Sequence, residues 1–516
     1  MTIHPTFAST LRATLITGIS CLAITAQAEP VTREAVMAAI PQLEAQARAQ
    51  VQSGGVPGLA IAIVYKDEVV YRGGFGLRSV GKPETVGTET VFQLASLSKP
   101  VSATVVAALV SDNVVEWDTT IAQLDPAFQL RDAYPTQQVT LRDLFNHRSG
   151  LPGDAGNELE AFGFSRDEIL RRLRFVPPAS SFRAGYSYSN FGLTEGGVAA
   201  AKPTGKPWEE VAEEKLYRPL GMNSTSSRHA DFIKQANRAE LHIRKDGKWA
   251  AAITRQPDAQ APAGGVSSTV TDLAQWLRLE LANGKFNGTQ IIAADALAAT
   301  HQPLMARGNN PVTGAPSFYG LGWVVEFGRH GQSWGHAGAF SVGARTLATL
   351  YPEAQLGIVV LANAFPTGVP EGLADNFFDT VFDGKPGKDW IGPWNAAYGG
   401  MFEPAIIEAK KKFAPPAGGV TPALPLESYE GAYGNDYLGA AQVVRSGDGL
   451  ALNLGPKGSS TFPLKHFNRD VFLYYPTPEM PDLASAVTFA MGPDGRATQV
   501  TVDDLDAFGL GVLKRE

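Results

Sequence analysis

The sequence predicts an α+β protein: an antiparallel sheet flanked by helices and interrupted by a helical insertion, with a small C-terminal β-barrel appended. Three observations lead there. Strand-like runs stand at both ends of residues 30–385 while helix and loop fill the middle, so one sheet is discontinuous in sequence. Residues 384–425 then shift to Gly and Pro punctuation. Residues 426–516 break into short strand-like runs separated by turns.

The first 28 residues read as a signal peptide. Arg12 precedes the apolar stretch Ala13 to Thr25, and Ala26-Gln27-Ala28 supplies the small-x-small ending of a cleavage site. The expectation is therefore a periplasmic or secreted protein. Cys21, the sole cysteine, lies inside this segment, so the mature chain would offer no disulfide, no cysteine nucleophile and no cysteine metal site.

From residue 29 to 383 a catalytic-sized domain is expected. Residues 31–52 carry apolar positions at helical spacing, stopped by Gly54, Gly55 and Pro57. Leu59–Tyr65 and Val69–Tyr71, joined by the polar turn Lys66-Asp67-Glu68, predict a hairpin. A helix is expected over 97–111, and helix and loop through much of 115–300. Strand character returns at Tyr319–Val325, around Ser341–Tyr351 and at Leu356–Ala362, with a helix near 367–382. Residues 384–425 read as a Pro/Gly-rich linker, in which Lys410-Lys411-Lys412 is taken as a solvated face.

Length and charge narrow the function. At 516 residues, with 44 Lys+Arg against 51 Asp+Glu, the chain has room for more than one domain and no basic surplus for neutralising phosphates. A nucleic-acid partner is not expected. Beyond the N-terminus no apolar run approaches the roughly 20 residues that span a bilayer, so no membrane span is expected either.

Three short motifs carry chemistry. Ser96-Leu97-Ser98-Lys99 is the chain's one S-x-x-K and stands at the start of a predicted helix, where i, i+3 spacing puts hydroxyl and amine on one face. A desolvated lysine can take the serine proton. Tyr188-Ser189-Asn190 offers a phenol, which near a lysine can titrate low enough to shuttle a proton, and an amide for orienting substrate. His336-Ala337-Gly338 precedes a strand whose Ala339 N–H, with that of Ser96, is a candidate oxyanion donor. Tyr433-Gly434-Asn435 repeats the Y-x-N spacing within the β-domain and is read as structural. The eight histidines show no metal-ligand spacing, so neither a metal nor an organic cofactor is expected. Gly331-Gln332-Ser333-Trp334-Gly335 matches the G-x-S-x-G nucleophile elbow, but strand residues follow where that motif needs a helix, and it is read as a decoy.

Taken in order, Ser96-x-x-Lys99, Tyr188-x-Asn190 and His336-x-Gly338 resemble the motifs of the serine β-lactamase and penicillin-binding-protein superfamily, in its class C-like branch of D-aminopeptidases, D-Ala-D-Ala carboxypeptidases and esterases. Val139–Leu151, Pro219–Met222, Ala263–Ser267 and Tyr319–Trp323 resemble the same branch, over about residues 35–383. The last segment resembles the lipocalin-like barrel appended to such hydrolases. The resemblance implies a β-lactamase/transpeptidase-like fold and an acyl-enzyme on Ser96. It implies Lys99 and Tyr188 as proton carriers, and Tyr188 or His336 as activator of the hydrolytic water. Asn190 and Gly338 are implied to contact substrate. Class C β-lactamases carry Lys-Thr-Gly where this chain has His-Ala-Gly; a neutral histidine holds a β-lactam carboxylate less well, which speaks against efficient β-lactamase activity. His147 falls in a stretch of the family that is mainly structural and is read as a tethering residue.

The expected substrates are small or linear peptides, including D-residue or cell-wall peptides. Carboxylesters are the alternative at the same site, and a slow-turnover penicillin-binding protein or a non-catalytic binding module are the alternatives in other classes. The barrel is expected to narrow substrate access or to mediate a homo-oligomer.

Overall fold

The computed structural model describes residues 31–251, 254–401, 403–476 and 483–516, so the predicted signal peptide lies outside the described residues. Helix α1, Arg33–Gln52, is opened by the Thr32 side chain accepting from Ala35 N, and buries Val36, Ala39, Ile40, Leu43 and Ala47 along one stripe. The hairpin follows as β1 (Gly58–Tyr65) and β2 (Glu68–Gly76). Helix α2, Ser98–Ser111, is buried over almost its whole length, as a central helix must be. Helices α3 (Asn190–Ala201) and α4 (Val270–Leu281) are capped by the Ser189 and Thr269 side chains.

Six strands complete the sheet: β3 (Met305–Asn309), β4 (Pro316–Tyr319), β5 (Val324–Gly328), β6 (Gly331–Phe340), β7 (Ala344–Tyr351) and β8 (Leu356–Ala362). Their order is β2-β1-β8-β7-β6-β5-β4-β3, antiparallel throughout, so the two ends of the domain meet where β1 pairs β8, Ile61 opposite Val360. Because β1 and β8 are buried on both faces, they read as continuous apolar runs. Ala60, Ala62, Val359 and Leu361 face α2 and α4, whereas Leu59, Ile61, Ile358 and Val360 pack against α1 and helix α5 (Val369–Asp383).

The stretch read as a linker differs from expectation. It folds helices α6 (Ile391–Gly399) and α7 (Glu403–Lys412), with Ile391 and Trp394 buried against the catalytic domain. Gly and Pro do punctuate its ends, but Trp390, Trp394 and Tyr398 recur every four residues, a helical stripe that the composition masked. The lysine run closes α7, where cations suit the carbonyl end, and Lys412 Nζ reaches Asp503 of the C-terminal domain at 2.9 Å.

That domain is a closed barrel of eight antiparallel strands in sequence order: β9 (Gly431–Asn435), β10 (Gly439–Ser446), β11 (Gly449–Leu454), β12 (Ser460–Asn468), β13 (Val471–Tyr474), β14 (Ser485–Met491), β15 (Ala497–Val502) and β16 (Val512–Arg515). Closure of β16 onto β9 removes the free edges. Tyr433 of the second Y-x-N is fully buried here, donating to Tyr429 O at 2.7 Å. Among the described residues no helix is long and apolar enough to cross a membrane.

Candidate active site

The nucleophile turn sits between the sheet and the insertion. Leu94 N donates to Val266 O at 2.9 Å, while Thr346 Oγ1 of β7 donates to Leu94 O at 2.6 Å. Ala95 is held at φ +49° and is completely buried, a left-handed position that costs an alanine roughly 1–2 kcal/mol. The turn then enters α2 with Ser96 facing the cleft.

One helical turn on, Lys99 is fully buried and its Nζ meets three oxygens: Ser96 Oγ at 3.1 Å, Asn190 Oδ1 at 2.7 Å and Ala263 O at 3.0 Å. No carboxylate reaches it, and burial holds its pKa well below the ordinary ammonium range. The amide and the carbonyl take two N–H donors of a neutral amine, which leaves its lone pair facing the Ser96 hydroxyl.

Tyr188 lies with its ring centroid 4.6 Å from Lys99 Nζ. Burial raises its pKa, and a hydrogen bond with Ser96 only partly opposes that. It therefore stays a neutral phenol, which corrects the expectation of a low-titrating tyrosine: an uncharged lysine gives a phenolate nothing to pair with. His147 holds the loop on both sides of this tyrosine. Its carbonyl accepts from Ser187 N at 2.8 Å, its Nδ1 accepts from Ser189 N at 3.1 Å, and its ring lies 4.5 Å from that of Tyr188. Asn190 begins α3. One end of its amide holds Lys99 and the other donates to Asn157 Oδ1 at 3.3 Å, so it braces the lysine and is not turned to the cleft as a substrate ligand.

Ser96, Lys99, Tyr188 and Asn190 thus meet from the nucleophile turn, two helices and a connecting loop far apart in sequence. Residues 43–377 match the family described as Beta-lactamase. The chain belongs to that family. Residues 415–510 match a domain of unknown function, DUF3471. Among relatives, unguisins hydrolase ungD' of Aspergillus campestris is 26% identical over 474 residues, 87% of this chain and 86% of that protein. The D-alanyl-D-alanine-carboxypeptidase/endopeptidase AmpH of Escherichia coli is 24% identical over 350 residues, 66% and 88% of the two chains. The octameric penicillin-binding protein homologue of Pyrococcus abyssi shares the fold with a TM-score of 0.57 at 20% identity, covering 92% of this chain and 99% of its own.

The third motif, His336-Ala337-Gly338, lies along β6. His336 is buried, its Nδ1 lies 2.7 Å from Ala337 O and its Nε2 2.9 Å from Tyr319 Oη, so both ring nitrogens are taken. Burial keeps the imidazole neutral. Nδ1–H donates to the carbonyl and Nε2 accepts from the phenol, leaving no nitrogen for a hydrolytic water. Gly338 likewise serves packing: a Cβ there would lie 2.1 Å from Leu94 O and 2.4 Å from Thr346 Oγ1. It lets β6 press against the nucleophile turn and is not among the cleft-lining residues. Past Gly335, β6 pairs only with β7, so its other edge, with Ala339, borders the cleft.

The beta-lactamase-family cleft encloses about 970 Å³. Sequence reasoning missed four of its surroundings as functional: Tyr186, Arg307, Tyr319 and Asn157. The alternation Tyr186-x-Tyr188 was the available signal for the first. Arg307 lies 5.6 Å from the Tyr186 ring and donates to Ser317 Oγ at 3.1 Å, and among the described residues no carboxylate forms an ion pair with it. The far end is closed by α5 and α6, where Trp394 Nε1 donates to Asp375 Oδ2 at 2.7 Å and burial pushes Asp375 up to about 7. Ser333 lies within β6, opposite Glu326 of β5, and strand continues after it where an elbow needs a helix. Only His330, Asp379 and Asp383 group with metal-like spacing among the described residues, and Arg329 pairs with both carboxylates.

Proposed function

We propose that the chain is an exported acyl-transfer serine hydrolase acting on peptide amides, with Ser96 as nucleophile and Lys99 as base. The observation that carries this is the fully buried Lys99 amine 3.1 Å from Ser96 Oγ, with its other two contacts made to an amide and a carbonyl oxygen. As Ser96 Oγ bonds to the substrate carbonyl carbon, its proton passes to Lys99 Nζ. The Ser96 and Ala339 N–H groups stabilise the oxyanion. Collapse breaks the C–N bond, and Tyr188, a neutral phenol within reach of Ser96, relays the proton to the leaving amine. Water then attacks the acyl carbon, losing its proton to the same Lys99–Tyr188 pair, which returns it to Ser96 Oγ as the acyl C–O bond breaks, with no part for His336.

Arg307 supports a carboxylate-bearing peptide, because it places at the cleft the positive charge that His336 does not carry. The activities that ungD' and AmpH are named for, a hydrolase and a carboxypeptidase/endopeptidase, accord with amide cleavage. Carboxylester cleavage uses the same groups and stays the second reading. Export rests on the Ala26-Gln27-Ala28 signature. The test is a fluorophosphonate probe with peptide mapping: label on Ser96, lost in Ser96→Ala together with all turnover of a folded protein, is expected. Label on Ser333, or turnover surviving Ser96→Ala, overturns the proposal.

A further inference from the structure

Among the described residues the barrel contributes none to the cleft lining, which ends at Met401. It touches the catalytic machinery from behind. The short helix Asn157–Ala161 begins at Gly156, held at φ +87° with no side chain to cap it. The missing partner comes from the barrel: Gly156 N donates to Tyr437 Oη at 2.8 Å, and Tyr437 donates to the Glu158 carboxylate. Asn157 sits between those two anchored residues. Its Oδ1 accepts from Asn190 Nδ2 at 3.3 Å, and Asn190 Oδ1 accepts from Lys99 Nζ at 2.7 Å.

The amide of Asn190 is nearly symmetric in shape, and only its hydrogen-bond partners decide which end faces the lysine. Asn157 supplies an acceptor to the nitrogen end and thereby keeps the oxygen on Lys99. Tyr437 is in turn rigidly presented. It is 2% exposed, Asn435 Oδ1 accepts from Tyr437 N at 3.0 Å and Leu438 N at 2.7 Å, and Arg172 donates to the carbonyls of Asp436 and Tyr437. Asn435, the asparagine of the structural Y-x-N, thus builds the turn that carries Tyr437.

We propose that Tyr437 is a positioning residue for Lys99, acting through Asn157 and Asn190, so that the barrel sets the geometry of the catalytic base. The assignment rests on Lys99 being the base of the proposed acyl transfer.

The test measures the rate of Ser96 phosphonylation by a fluorophosphonate against pH in the full-length chain. Tyr437→Phe keeps the ring and removes both hydrogen bonds. Expected are a roughly tenfold slower rate near neutrality and an acid limb displaced to higher pH, as a less tightly held lysine regains water, with labelling still reaching full stoichiometry. Asn157→Ala, which leaves the barrel contact in place, is expected to move the limb the same way, and decides the matter should Tyr437→Phe not fold. Tyr433→Phe, inside the barrel, is expected to change neither. Reduced stoichiometry with an unmoved limb in Tyr437→Phe, or a normal profile in Asn157→Ala, overturns the proposal. Failure of the underlying mechanism reads differently: Lys99→Met would then label at the unaltered rate.

Discussion

Asn190 Oδ1 accepts from Lys99 Nζ at 2.7 Å, so the neighbour of the buried lysine is an uncharged amide, and burial holds the lysine pKa well below the ordinary ammonium range. Asn190→Asp puts a negative charge against the amine and favours its ammonium form. The lysine pKa rises, so the base is protonated at neutral pH. Expected is a fall in kcat/KM of about 100-fold at pH 7, the lower range of a general base's contribution, with recovery as pH rises. A pH–rate profile checks it; an acid limb that stays in place counts against Lys99 as the base.

Gly338 tests why the third motif ends in glycine. Since a Cβ would meet Leu94 O at 2.1 Å, Gly338→Ala must push β6 away from the nucleophile turn. The expected cost is about 1–3 kcal/mol in urea unfolding, the range of overpacked sites, together with loss of Ser96 labelling. A stable, fully labelled Gly338→Ala would mean that the turn tolerates displacement.

The fold was legible wherever one pattern served one element. The alternating and continuous apolar runs at 59–71 and 356–362 are strands, and their pairing follows from the helical stretch between them. Ser96 and Lys99 were legible because i, i+3 spacing is local. The roles of His336 and Asn190 were not, because each depends on a partner distant in sequence: Tyr319 for the first, Lys99 and Asn157 for the second. Tyr188 was mistaken in direction, since its titration depends on burial, which no spacing reports.

Glu195 on α3 carries an unexplained cost. It is fully buried, neither carboxyl oxygen has a hydrogen-bond partner among the described residues, and burial raises its pKa well above 4.5. A carboxyl whose folded pKa is raised contributes stability below its unfolded value that is lost as pH climbs toward the folded one. Glu195→Met is therefore expected to stabilise the protein by about 1–3 kcal/mol, more at pH 8 than at pH 5. Thermal unfolding at the two pH values checks this, and an equal gain at both would place the effect in packing alone.

Helix α6 gives the last prediction, because its Trp394 and Tyr398, which help wall the far end of the cleft, lie beyond the family match at 377. Trp394 is buried against α5 and fixed by its hydrogen bond to Asp375, so the ring acts as a stop for whatever extends from the nucleophile. Trp394→Ala removes the stop without touching Ser96, Lys99 or Tyr188. Turnover of a short acyl substrate should stay within about twofold, whereas KM for peptides long enough to reach α6 should change by about tenfold, the scale of one lost buried contact of about 1.4 kcal/mol. Comparing a graded series of peptide lengths decides it: a uniform change across the series would mean that α6 supports the fold and does not select substrate.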